Sequence, residues 1–433
     1  MYIGRRNQRL AAFVVAFAFM LVRPAHARAA SAARFHIYEQ AAVGAAVVGG
    51  ASPGPAFTGL LSPSLAVDFG KLPRLASLAG LSLHANAWIL QGRGPTAAKI
   101  HSLSPIDFIE GPAGARLGDA YLQWRPAGNA VDIKIGQFGL DENFDQNPAA
   151  AILLDGNYTY RNIMGTDLPG GGLAYPFEAP GAMIAVQALP ALRLRAGIFS
   201  GDPGGRPAGG LSVVARNPHG LGFPLNAGAL LIAEAEWDYR LPGLGAGAVL
   251  AGGLYDNLSR PDLLFSASGQ SLAAPNAGPP RADHGDRVFY AGLTQTLWRG
   301  ADGRRLKGFA RIAYAPPDRN LITFGVQGGL ALRAPFAIRQ KNSLALALAY
   351  DRISGRAAAL ARAENAAGQA WQPIPSAEGD IELAYNVVLT PWLSLTPDLQ
   401  YLIRPGGGIV DPTDPAKENP NALVALLQTT ARF

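Results

Sequence analysis

The chain has no cysteine in 433 residues, so nothing in it is held together by disulfides and its stability must come from hydrogen-bonded architecture. Past Val22 it also lacks any apolar run long enough for a transmembrane helix. Its six histidines (26, 36, 84, 101, 219 and 284) are scattered without ligand spacing, which argues against a zinc site. Charge of one sign is lacking too. The formal net charge is +6, but the first 27 residues carry four Arg and no acid, so the remainder sits near +2. The basic balance belongs to that leading segment and gives no support for nucleic-acid binding.

What is present first is an export signal. Arg5, Arg6 and Arg9 form a basic start, Leu10 to Val22 is an apolar run too short to span a bilayer, and Ala25-His26-Ala27 offers a small-x-small cleavage site. Residues 1–27 are read as a signal peptide and 28–433 as the mature domain. Hydrophobic residues make up 49% of the chain, yet they are spread in alternation rather than in blocks.

The end of the chain shows the pattern plainly. From 423 to 433 one register holds Leu423, Ala425, Leu427, Thr429, Ala431 and Phe433; the other holds Val424, Leu426, Gln428, Thr430 and Arg432. One face of such a strand suits lipid and the other a wet lumen. Period-2 segments bounded by Gly, Pro, Asn and Asp predict sixteen strands, near 35–41, 59–69, 77–90, 115–125, 130–138, 180–189, 191–199, 227–240, 245–256, 286–298, 305–315, 321–333, 343–353, 379–389, 392–402 and 423–433. Connections after even strands are short; most after odd strands are long (42–58, 91–114, 139–179, 200–226, 257–285, 354–378, 403–422), with 316–320 breaking the rule. Trp124, Trp237, Tyr239, Tyr255, Trp298, Tyr314, Tyr350 and Trp392 lie near strand ends, where an aromatic girdle belongs. The fold class expected is all-β: a transmembrane antiparallel up-and-down β-barrel of about sixteen strands in the bacterial outer membrane, with short periplasmic turns and long external loops.

Particular stretches add a resemblance. Ile135-Gly136-Gln137-Phe138, Asp141-Glu142-Asn143-Phe144, Tyr175-Pro176, Ala179-Pro180-Gly181 and Gly197-Ile198-Phe199-Ser200-Gly201-Asp202-Pro203 follow in order. Phe309-Ala310-Arg311, Asp318-Arg319-Asn320, Pro391-Trp392-Leu393, Pro397-Asp398-Leu399-Gln400-Tyr401, Pro405-Gly406-Gly407, Asn421-Ala422-Leu423-Val424 and the final Phe433 come later. Together they resemble the carbohydrate-selective porin family of Gram-negative bacteria. The resemblance implies passive uptake of glucose-like sugars through a sixteen-stranded barrel. It departs at Gly50–Pro55, where members often carry Gly-Asp-Trp-Gly-Gly.

A selective pore needs a narrow waist lined by groups that replace water around a sugar. Loop 139–179, about 40 residues long, exceeds what a surface cap needs and is expected to fold into the lumen. It brings Asp141, Glu142 and Asn143, with Asp145, Asn157, Tyr160, Arg161 and Asn162 behind them. Inward registers supply the facing wall: Asp119, Gln123 and Arg125; Asp132 and Lys134; Arg193 and Arg195; Glu234 and Glu236; Lys307 and Arg311; Glu382; Asp398. Mixed signs suit a neutral polyol, whose hydroxyls donate and accept. Trp88 and Phe309 are candidates to stack on a sugar ring or to pack within the wall. Phe433 is the expected recognition element for the barrel assembly machinery. No catalytic residue, cofactor, metal or nucleic-acid partner is expected. Gly50-Ala51-Ser52-Pro53-Gly54 matches a nucleophile-elbow pattern, but no strand–turn–helix surrounds it. The partners expected are sugars as solutes, outer-membrane lipid and either no copy or two further copies of the chain, as monomer or homotrimer. A general diffusion porin is the alternative, since it would share every architectural feature.

Overall fold

A computed structural model describes residues 32–206, 211–336 and 341–433; the stretch read as a signal peptide lies outside the described residues. The strands are β1 (Ala33–Gly49), β2 (Gly54–Asp68), β3 (Leu81–Arg93), β4 (Gly114–Trp124), β5 (Val131–Phe138), β6 (Ala179–Leu189), β7 (Leu192–Ser200), β8 (Ala229–Leu241) and β9 (Gly245–Ser266). They continue as β10 (Pro280–Arg299), β11 (Arg305–Tyr314), β12 (Ile322–Arg333), β13 (Ser343–Ile353), β14 (Ala377–Thr390), β15 (Leu393–Ile403), the small external hairpin β16 (Val410–Asp411) and β17 (Asp414–Glu418), and β18 (Ala422–Arg432). Each strand from β1 to β15 pairs with its sequence neighbour, and β18 bridges β15 to β1, closing a sixteen-stranded antiparallel barrel. Closure leaves no sheet edge in need of a partner.

Alternation explains why these segments are strands. On β15, Ser394, Thr396, Asp398, Gln400 and Leu402 are buried, while Leu399, Tyr401 and Ile403 are exposed. Leu346 and Leu348 on β13, Leu383 on β14 and Leu427 on β18 are exposed as well, although they are apolar. A soluble protein puts such residues inside. Here they form the outer belt that hydrocarbon would cover, with Trp124, Trp237, Tyr255, Trp298, Tyr314 and Tyr350 exposed among them. No helix among the described residues is long and apolar enough to cross a membrane, so the strands do the spanning.

Two expected loops are corrected. Residues 42–58 are mostly strand: β1 and β2 pair from Ala33↔Val67 to Ala46↔Gly54, leaving the turn 50–53. The stretch is rich in Ala, Gly and Val, and the crowding at its end needs that smallness. A Cβ on Gly49, whose φ is +69°, would lie 1.7 Å from the Asn421 carbonyl oxygen of the neighbouring chain segment. Residues 257–285 are also largely strand, because β9 and β10 run on as a hairpin of 22 and 20 residues. Their outer end is clamped where Asp262 receives Arg281 at 2.5 Å and Arg356 from the helix Gly355–Ala366. The expected short turn 70–76 is 69–80, with single 3-10 turns at Phe69–Lys71 and Ala76–Leu78.

Candidate functional site: the waist of the barrel

Loop 139–178 runs inside the barrel, because its polar groups find their partners on inward registers of the wall. Asp145 is the central anchor. Its carboxylate receives Arg161 at 2.5 and 2.8 Å and Arg311 of β11 at 2.5 Å, and its backbone N–H donates to Glu234 of β8 at 2.6 Å. Glu234 also accepts from Tyr290 at 3.1 Å and from Arg195 at 2.5 Å. On the far side Asn157 and Asn162 donate to Asp351 of β13 at 2.7 and 2.8 Å. Gln327 of β12 donates to the Asn157 carbonyl at 2.7 Å, and Glu382 of β14 accepts from the backbone N–H groups of Leu154 and Asp155. Beneath these bonds Tyr158 meets Phe309 edge to face at 6.4 Å between Ala149, Ala150 and the small inward residues Ala345, Ala347 and Ala384. Small wall residues are what make room for a loop inside the barrel.

A second loop, 94–113, enters from the other side. Leu103 N–H donates to both oxygens of Glu378, Gln400 donates to the Ile106 carbonyl at 2.8 Å, and Gln428 donates to Asp107 at 2.9 and 3.0 Å. The two loops also bond each other: Phe108 N–H donates to the Leu154 carbonyl at 2.8 Å and Ser104 Oγ to Asp155 at 2.5 Å. Burial pushes the Asp107 and Glu110 carboxyls of this loop up to about 7. The segment around His219 closes a third gap, where β4 outruns β5: Leu117 N–H donates to the His219 carbonyl at 2.9 Å.

Open space remains on both sides of the waist. A cavity of about 380 Å³ is lined only by the two infolded loops, including Phe108, Glu110, Asp141, Tyr160, Arg161, Asn162, Tyr175 and Phe177. Toward the periplasmic turns, a chamber of about 200 Å³ is lined by Phe108, Tyr38, Gln40, Asn386, Ser394, Thr396, Thr430 and Arg432. Phe108 belongs to both, so its side chain stands between them. A further chamber of about 250 Å³ lies under Gln146, Asn147 and Pro148, between Glu236 and Asp238 on one wall and Arg299, Arg305 and Lys307 on the other. Aromatic faces beside hydrogen-bonding groups, with room for one small ring, can hold a sugar weakly while its hydroxyls exchange water for protein.

The residues expected to line the path separate into three sets. Lys134 (2.7 Å to Asn143), Glu234, Arg311, Glu382 and Phe309 are occupied in fastening loop 139–178 to the wall. Asp119, Gln123, Arg195 and Asp398 are paired within the wall, with Asn86, Asp132, Glu234 with Glu236, and Gln400 respectively, while Trp88 donates to Glu178 at the end of loop 139–178. Trp88 is therefore a packed wall residue, edge to face with Tyr175 at 5.3 Å, and neither it nor Phe309 presents a free face to the pore. Glu142 is exposed, Asp141 lines the outer cavity, and Arg193 forms no side-chain hydrogen bond or ion pair among the described residues. Phe108 and loop 94–113 were missed. Asp107 and Glu110, closely spaced acids in an otherwise apolar stretch, were the available signal. The Gly50–Gly54 pattern is a hairpin turn whose Ser52 hydroxyl donates to the Ala98 carbonyl. No cluster of potential metal ligands occurs among the described residues.

Comparison with known proteins agrees with this geometry. A family model described as carbohydrate-selective porin, OprB family, matches residues 59–433. Porin B of Pseudomonas aeruginosa is 25% identical over 341 residues, covering 73% of this chain and 68% of that protein. A high-pH structure of Pseudomonas putida OprB superposes with a TM-score of 0.81 at 19% identity, over 93% of this chain and 94% of that one. The outer membrane channel DcaP of Acinetobacter baumannii gives 0.51 at 12% identity, over 95% and 100%. The chain belongs to the carbohydrate-selective porin, OprB family, and is an outer-membrane sugar porin.

Proposed function

We propose that the pore passes glucose-like monosaccharides by passive diffusion, through the passage between loops 94–113 and 139–178. The observation that carries this reading is Phe108, which lines both the outer cavity and a chamber on the periplasmic side. A ring passing there slides along its face while Glu110, Asp141, Asn162 and then Gln40, Ser394 and Thr396 offer partners to its hydroxyls. Each contact is weak by design, since a site that binds tightly cannot release quickly. Arg193, Arg195, Glu236 and Glu142 are proposed to set the field along the path, with both signs present so that no counter-ion is captured. The segment 1–27 is proposed to direct export, and the C-terminal strand to be read by the barrel assembly machinery. Outer-membrane lipid would meet the apolar belt. Proteoliposome swelling with glucose, a disaccharide and an amino acid of glucose size tests the reading. Glucose should enter faster than the amino acid, and Phe108→Ala should narrow the difference. Rates set by size alone would make this a general diffusion pore.

A further inference from the structure

We propose that the chamber beneath Gln146–Pro148 is a subsite for anionic hexoses, those bearing a carboxylate or a phosphate. The inference rests on the sugar-pore reading and extends it to charged sugars. Four cations line this chamber, and one, Arg311, is taken by Asp145; the other three are Arg299 at the end of β10, with Arg305 and Lys307 on β11. Arg299 pairs in register with Arg305, and Arg305 with Arg333 of β12, so three guanidinium-bearing positions follow one another across adjacent strands on a single face. That face is the lumen, because Arg305 and Lys307 share the alternation of Phe309 and Arg311.

Neither these three nor Arg333 is compensated. Arg299, Arg305, Lys307 and Arg333 form no ion pair among the described residues, and the stretches outside them contain no Asp or Glu. Like charges set side by side across a sheet repel. The lining carboxylates stand two strands from β10, on β8, where Glu236 is taken by Arg195 at 2.6 Å. Asp238 holds no cation. Between the two walls the floor is Ala246, Gly247 and Ala248 of β9, which leaves the space open. A hexose fits that layout with its anionic group on the basic wall and its hydroxyls toward Asp238 and the Gln146 and Asn147 amides. A plain anion would leave the acidic wall and the amides unused. Clustered charge in a cleft raises the local counter-ion concentration on the order of 10-fold or more, an effect that salt screens.

The test is block of single-channel current by glucose, glucuronate, glucose 6-phosphate and inorganic phosphate, at low and high salt. In the native protein, one or both anionic hexoses should block at about 10-fold lower concentration than glucose at low salt, and whichever is stronger identifies the anionic group. In the triple variant Arg299→Gln, Arg305→Gln, Lys307→Gln that ratio should fall to about 1, by removal of the same field. The charge-preserving variant Arg299→Lys, Arg305→Lys, Lys307→Arg should keep it, which separates loss of charge from damage to the barrel. Equal block by glucose and the anionic hexoses overturns the proposal. So does block by inorganic phosphate as strong as by either anionic hexose, or loss of the ratio in the charge-preserving variant. Swelling with glucose in the same preparations reports separately on the sugar-pore reading.

Discussion

Arg311 of the barrel wall and Asp145 of the infolded loop meet at 2.5 Å, each only 2% exposed, so the waist is fastened by an ion pair that water does not reach. Removing one partner of an isolated buried pair costs ~3–5 kcal/mol; Asp145 keeps Arg161 at 2.5 and 2.8 Å, so loss of Arg311 costs less than that but frees the loop from the wall.

Arg311→Ala should therefore release the inner end of loop 139–178, which also loses the Arg311 bonds to the Tyr158 and Asp145 carbonyls. Single-channel conductance should rise, and the preference for glucose over an amino acid of its size should shrink. Unchanged conductance would show that Arg161 and Glu382 hold the loop without it.

The second loop should respond to pH. Glu110 accepts from Thr96 N–H at 3.2 Å, Thr96 Oγ1 at 2.7 Å and Asp107 N–H at 3.2 Å, and burial lifts its carboxyl from 4.5 to about 7. A raised acid binds its proton more readily when the loop is docked than when it is free. Its contribution is therefore full below 4.5 and is lost as pH rises through 7. Current through the native pore should flicker more at pH 8 than at pH 5.5, and Glu110→Gln should reduce that difference. Asp107, shifted the same way, would leave a remainder.

Gly49→Ala tests the packing at the outer end of β1. A Cβ there would strike the Asn421 carbonyl at 1.7 Å from a left-handed φ, so the neighbouring chain must move. Destabilisation of at least ~1 kcal/mol is expected, visible as an earlier loss of the folded band on heating in detergent. Gly303→Ala, also at positive φ but with open space around it, should cost less and serves as the control.

At the seam, Phe433 exchanges backbone hydrogen bonds with Ile37 at 2.9 and 3.1 Å, and its ring lies 5.8 Å from Trp392. Deleting it should lower the yield of heat-modifiable barrel in cells. If the assembly machinery recognises this strand, as proposed, refolding into detergent should suffer less.

Strands were legible wherever the two faces differ in polarity, as on β15 and β18, since alternation is the direct mark of lipid on one side and lumen on the other. Residues 42–58 hid because Gly, Ala and Pro read as a turn. In a closed barrel Pro55 sits near a strand start, and Pro63 falls where the β2–β3 pairing is interrupted between Leu61↔Ile89 and Ser64↔Asn86, where no ladder bond is asked of its missing N–H. The site was harder. Lys134, Glu234, Arg311 and Glu382 lie buried on inward registers, but a register cannot tell a residue facing the solute from one bolted under a loop. Loop 94–113 was illegible for a related reason: its partners Glu378, Gln400 and Gln428 lie some 275 residues or more away along the chain.

The anchoring of both loops by buried wall contacts has a thermal consequence. The waist is already assembled when a sugar arrives, so passage includes no folding step and no ordering of backbone. Flux should climb with temperature only as gently as diffusion in water does, and it should reach a steady rate without a lag, up to the temperature at which the Asp145 and Glu382 fastenings let go.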